Sequence, residues 1–333
     1  MAEEVAKGIY RIGVILPKNP LRETNAYYIP GKDRDLLIDT GFFRDECRQS
    51  LNAGLTELGS RRERRDVYIT HRHADHSGLA DEMAAEDGKI YMGEIDLENQ
   101  KKHFESTGPK ERFVGYRENG FPPQALEEMD KASPRGRFQV PPPDGRYIPV
   151  KEGDIIEAGD YRFQVIVTPG HTPGHTMLWS EETGIMITGD HVLFDISPNI
   201  TTWLGFEDPL GDYIGSLRKV RDYPVKTALP GHRKSGDYQA RVDELLAHHE
   251  WRLRQIYDII KETPGINAYD IAGQVTWRMR ARNWDEFPLS QKSFAFSECM
   301  AHLDHLLKRG SVVKTEKDGV FGFYALPWEG DLS

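Results

Sequence analysis

Only two cysteines, Cys47 and Cys299, occur in the 333-residue chain, one in each half. This excludes a disulfide framework and fits a reducing compartment, the cytoplasm. Long apolar runs are also missing: stretches such as VIVT and MLW are short and interrupted, so no membrane span is expected. The opening residues, MAEEVAKGIYRIG, lack the charged-then-apolar pattern of an export leader. Nor is there an excess of positive charge. A formal net charge of -10 opposes non-specific capture of phosphate backbones, so a small-molecule substrate is expected and nucleic acid is not.

What is present divides near residue 236. Up to that point, short β-rich runs alternate with helical segments: IYRIGVIL, AYYIP and DLLIDTG read as strands, and RDECRQSLNAGLTELG as a helix. DVYITH, KIYMG, YRFQVIVT, HTMLWS, GIMITGD and KTALPGH continue the strand series, with EETG as a hairpin turn. Strands grouped between helices predict an α/β fold, an αββα sandwich. An insertion at about 97–150 shows no sustained strand pattern and reads as a lid or a decoration. From 237 to 333 the pattern is helical and ends in a hairpin with Asp318-Gly319 at its turn, the plan of a winged helix. Acidic residues outnumber basic ones there, 15 to 12, which favours a packing or homodimerisation module over a DNA-binding one.

Histidine carries the chemistry. In ITHRHADHSG, His71 and His73 fall on one side of an extended chain and can reach one cation, while Asp75 and His76, past the turn, can reach another. Further candidates stand where strands end: His171 after YRFQVIVTPG, Asp190 after GIMITG and His232 after KTALPG. The doubled phrase TPGHTPGH holds a second histidine, His175. Prolines and glycines exclude a helix through it.

Together these motifs resemble the metallo-β-lactamase superfamily over about Gly8 to His232: the Asp39 of LLIDTG, the HxHxDH of 71 to 76, PGH at 169–171, GD at 189–190 and GH at 231–232. The resemblance implies that His71, His73 and His171 bind one metal, that Asp75, His76 and His232 bind a second, and that Asp190 bridges them. It implies two divalent cations, zinc first, with iron or manganese compatible. A hydroxide shared by the cations would be the nucleophile, and Asp75 is a candidate for proton transfer besides metal binding. Asp39 and His175 are expected to support the ligands by hydrogen bonds.

Departures from subfamilies narrow the expectation. A bridging Asp at 190 argues against β-lactam hydrolysis, intact histidines in the second motif argue against a flavodiiron reductase, and Leu193 stands where acyl-homoserine lactonases carry Tyr. The chain is similar to glyoxalase II-like hydrolases with a different tail, which implies hydrolysis of a thioester or carboxylic ester. A phosphodiesterase or endoribonuclease on the same metals, a mononuclear iron enzyme like persulfide dioxygenases, and a non-enzymatic metal-stabilised protein are the alternatives. Arg278, Arg280 and Arg282 are the densest cationic candidate for the anionic end of a coenzyme A ester, although a solvated basic loop is the reading the segment favours.

Overall fold

Along Tyr161–Val167 the burial alternates: Tyr161, Phe163 and Val165 face a core while Arg162 and Gln164 face solvent. That period of two makes this segment a half-buried strand. It belongs to the second of two sheets in a computed structural model that describes residues 2–105, 115–132, 142–277 and 283–328. The first sheet has seven strands in chain order, β1 (Ala2–Ala6), β2 (Ile9–Ile15), β3 (Glu23–Ile29), β4 (Asp35–Ile38), β5 (Arg65–Ile69), β6 (Ile90–Gly93) and β7 (Tyr147–Val150). Pairing is antiparallel from β1 to β4 and parallel from β4 to β7. The second sheet comprises β8 (Ile155–Ala158), β9 (Tyr161–Val167), β10 (Thr176–Ser180), β11 (Ile185–Gly189) and β12 (Thr227–Pro230). Its order is β12-β11-β10-β9-β8, with only β11 and β12 parallel.

The sheets face each other. Ile9, Tyr27, Ile38 and Tyr68 of the first pack with Phe163, Val165, Leu178, Ile187 and Leu229 of the second in one buried cluster. On the outer face of the first sheet, Cys47, Leu51 and Leu55 of α1 (Asp45–Glu57) join Ile12, Val14, Val67 and Ile69 in another. The short helices α2 (Ala74–Ser77) and α3 (Ala80–Met83) follow β5, and α4 (Glu94–Glu105) follows β6. Helix α6 (Pro209–Arg221) sits over the end of β9, where Ser216 Oγ donates to Pro169 O at 2.8 Å and Lys219 Nζ to Val167 O at 3.0 Å.

By contact density the chain divides into two units that interleave in sequence, 1–106 with 138–198 and 215–242, and 107–137 with 199–214 and 243–333. The second unit holds α5 (Pro123–Ala132), most of α7 (Tyr238–Glu262), α8 (Ala268–Gln274), α9 (Leu289–Lys308) and the hairpin β13 (Val312–Lys317) and β14 (Val320–Ala325). Asp318 and Gly319 take φ of 54° and 79° between paired Lys317 and Val320, so a two-residue turn with left-handed backbone closes the hairpin.

Two features differ from the sequence expectation. The segment 97–150 is not free of regular structure: it contains most of α4, all of α5, and β7, whose YIPV buries Tyr147 and Val150 but exposes Ile148 and Pro149 and so shows no period of two. Part of that segment belongs to the second unit, because Phe121 stacks edge-on with Phe296 at 5.0 Å and with Tyr269 at 5.2 Å, and Tyr116 meets Phe296 at 4.8 Å. Aromatic clustering across distant sequence, invisible to local periodicity, decides the grouping.

Candidate metal centre

Each candidate ligand sits just past a strand end. His71 and His73 follow β5, Asp75 and His76 lie on α2, His171 follows β9, Asp190 follows β11 and His232 follows β12. Because β4 and β5 run parallel, as do β11 and β12, Asp39 and His71 share one sheet edge, and Asp190 and His232 share another.

The structure brings all seven expected ligands into one cluster. His71, His73 and His171 each offer a nitrogen within 4.8 Å of the others, and donor atoms of Asp75, His76 and His232 meet the same limit. A third group, His71, His76 and Asp190, joins the two. Asp190 Oδ1 lies 3.6 Å from His76 Nε2, while its Oδ2 lies 3.7 Å from His171 Nε2 and 3.4 Å from His232 Nε2. Asp75 Oδ2 is 3.4 Å from His232 Nε2. His71, His76 and His232 are fully buried, and His73 and Asp75 are half-buried.

Hydrogen bonds behind the cluster fix how the rings point. Asp39 Oδ1 accepts the Thr70 backbone N–H at 2.9 Å, and its Oδ2 accepts the Thr70 hydroxyl and His76 Nδ1–H, both at 2.8 Å. Having given its proton to Asp39, the Thr70 hydroxyl accepts from His71 Nδ1 at 3.1 Å. His232 Nδ1 donates to Glu23 O at 2.8 Å. All three imidazoles therefore turn Nε2 toward the cluster.

The consequence is electrostatic. His76 Nε2 faces His232 Nε2 at 3.2 Å, and His71 Nε2 faces His73 Nδ1 at 3.1 Å. With Nδ1 of both His76 and His232 donating elsewhere, their Nε2 lone pairs oppose each other and repel unless a positive charge, a proton or a cation, lies between them, whereas a proton on His73 Nδ1 makes the second contact an ordinary N–H···N bond. Imidazole nitrogens and carboxylate oxygens in this arrangement fit divalent zinc, iron or manganese.

His175 plays a different part from His171. Its Nε2 accepts the Asp190 backbone N–H at 3.2 Å while its Nδ1 donates to Thr168 Oγ1 at 2.8 Å, so it braces the main chain of Asp190. Close packing continues at Gly231, where a Cβ would collide with Asp190 Oδ1 and His76 Cε1.

Titration follows from these contacts. In the metal-free protein burial, His76, His73 and His171 drive His71 well below the ordinary imidazole range, and burial with His171 pushes His73 down to about 3. Burial acts in the same direction on His76 and His232, but carboxylates outweigh it. Asp190, Asp39 and Asp75 hold His76 well above its usual value, and Asp190 and Asp75 raise His232 to about 10. Burial would raise Asp190, yet His232 and His76 hold it well below the carboxylate range; against burial, His76 and His232 bring Asp75 to about 2. Protons thus occupy Nε2 positions that a cation would take.

Sequence reading missed Thr70 and Asp96. Thr70 gives a faint signal, a hydroxyl beside the first histidine of a metal motif; Asp96, described below, gives none. Arg278, Arg280 and Arg282 lie outside the described residues.

The metallo-beta-lactamase superfamily model matches residues 19–232. Beta-lactamase-like protein 2 homolog of Caenorhabditis elegans is 28% identical over 267 residues, 78% of this chain and 75% of that protein. Acyl-coenzyme A thioesterase MBLAC2 of Gallus gallus is 28% identical over 215 residues, 62% of this chain and 72% of that protein. A solved beta-lactamase domain protein from Burkholderia ambifaria superposes with a TM-score of 0.85 at 26% identity, covering 98% of this chain and 94% of that one. The matched span contains Asp39 and all seven clustered candidate ligands, and the chain belongs to the metallo-beta-lactamase superfamily.

Proposed function

We propose that the chain is a dinuclear metal-dependent hydrolase of acyl thioesters. The observation that carries this reading is the position of Asp190, whose two oxygens point toward ligands of both triads. In this reading His71, His73 and His171 would hold one cation, Asp75, His76 and His232 would hold the other, Asp190 would serve both, and zinc would be the metal. Cations so held would supply a nucleophilic hydroxide near neutral pH and polarise the scissile carbonyl.

The chain's own residues do the rest. Asp39, through Thr70 and His76, keeps ligand lone pairs directed inward, and His175 keeps the Asp190 backbone from shifting. Asp75 serves as a ligand more readily than as a proton carrier, since its interactions with His76 and His232 favour the ionised form. With these seven side chains committed as ligands and His175 engaged at both nitrogens, none of the eight is left as a general acid. A thiol ionises near pH ~8.5, so a thiolate leaves without protonation more easily than an alkoxide does. The thioesterase name of the Gallus gallus relative supports the same substrate class.

The C-terminal unit, with helices followed by a hairpin, is proposed as a packing or homodimerisation module. The test of the activity is a panel of acyl thioesters, carboxylic esters, phosphodiesters and RNA against metal-loaded protein, with Asp190→Ala as control. Thioester hydrolysis lost in the variant is expected. Cleavage of phosphodiesters alone, or one iron with oxygen consumption, overturns the reading.

A further inference from the structure

Asp96 lies in the first turn of α4 and is fully buried. Its Oδ2 accepts the Arg72 backbone N–H at 2.9 Å and the Thr172 hydroxyl at 2.6 Å, and its Oδ1 accepts the Gly174 backbone N–H at 2.8 Å. Arg72 stands between His71 and His73, Thr172 follows His171, and Gly174 precedes His175. One carboxylate therefore ties the loop after β5 to the loop after β9, which are the two loops that supply the first triad.

The packing around it is as tight as the hydrogen bonding. A Cβ at Gly174 would strike the Asp96 backbone nitrogen, and one at Gly93 would strike Gly174 O. Closer to the sheet the two loops meet again, where Thr176 N–H donates to Thr70 O at 2.9 Å. Asp96 thus holds the tips of the loops while that backbone bond holds their bases. A buried carboxylate is tolerated only when its oxygens are satisfied, and here three donors converge on it.

We propose that Asp96 is a positioning residue for the triad of His71, His73 and His171. It fixes the spacing of the two ligand loops and so the affinity of one cation, leaving the triad of Asp75, His76 and His232 to Asp39 and Glu23. This inference rests on the dinuclear reading above.

The experiment uses the full chain, stripped of metal and titrated with zinc against a chelator, together with hydrogen exchange of the metal-free protein. Asp96→Ala is expected to weaken one of two equivalents by about 10- to 100-fold and leave the other unchanged. The Arg72 and Gly174 amides should exchange faster. Asp96→Asn can keep the Arg72 and Thr172 bonds on its oxygen but turns an amino group toward Gly174 N–H, so it should fall between. Unchanged affinity in Asp96→Ala, or equal weakening of both equivalents, overturns the proposal. Should Asp96→Ala fail to fold, Thr172→Val removes a single hydroxyl and must weaken the same equivalent; an unweakened Thr172→Val then refutes it. Wild-type protein that binds no metal pair refutes the dinuclear reading instead, and unchanged Gly174 exchange in Asp96→Ala and Asp96→Asn separately refutes the clamp.

Discussion

Asp39→Asn changes almost nothing in size, yet it reverses the hydrogen-bonding character of one atom at the centre of the ligand scaffold. Asp39 receives three donors, the Thr70 N–H, the Thr70 hydroxyl and His76 Nδ1–H. An asparagine has one acceptor oxygen. With that oxygen at Oδ1, its amino group confronts His76 Nδ1–H, and relief requires His76 to move its proton to Nε2, where it blocks the lone pair a cation needs. With the oxygen at Oδ2, His76 is kept but the buried Thr70 N–H faces an amino group. Either arrangement costs about 1 to 3 kcal/mol. At one decade per ~1.4 kcal/mol this is a loss of about fivefold to 150-fold in metal affinity if it falls on His76, and a lower melting temperature if it falls on Thr70. Asparagine is also the right probe because Asp39 has φ of 59°, a left-handed conformation that asparagine tolerates and alanine resists by about 1 to 2 kcal/mol. Chelator competition and thermal melting of the metal-free protein read the two outcomes. A variant matching wild type in both measurements would refute the assignment of Asp39 as organiser of His71 and His76.

Further outcomes follow from the same geometry. His171→Ala should lose a metal equivalent and activity, whereas His175→Ala should keep both metals with weaker binding; metal analysis after dialysis distinguishes them. Gly231→Ala should displace Asp190 and His76 and abolish metal binding, and a fully loaded variant would contradict the packing described. In chelator, the charged form of His232, at about 10 against an ordinary ~6.5, stabilises the fold fully below the lower value, and this contribution is lost as pH rises through the upper one. Thermal melts of metal-free protein should therefore fall between those pH values, while metal-loaded protein, with a cation in place of the proton, should not follow.

Much of the cluster was readable because its candidate ligands come in local phrases at strand ends. HRHADH places four donors within six residues, and PGH, GD and GH each follow an apolar strand, so β-periodicity located them before any contact was known. Asp96 could not be read in this way. Its partners Thr172 and Gly174 lie 76 and 78 positions away, and nothing in EIDLENQ separates it from an ordinary acidic residue opening a helix. The same limit hid the assignment of Tyr116 and Phe121 to the second unit, which rests on Phe296 and Tyr269. Strand β7 does not alternate and has Pro149 within it, and β8 carries Glu157 among only three apolar residues, so neither stands out as β4, β6 and β12 of the same length do.

His76 and His232 stand 3.2 Å apart although 156 positions separate them in the chain. Under the proposed reading, cations held by these residues would act as a removable staple in a protein whose two cysteines form no disulfide. A covalent cross-link closing a loop of that length would restrict the unfolded chain by on the order of 5 kcal/mol. In the proposed reading the candidate active centre would also tie together two segments 156 positions apart, and removing the metal would take away that tie, leaving hydrogen bonds such as His232 Nδ1 to Glu23 O to close the chain there.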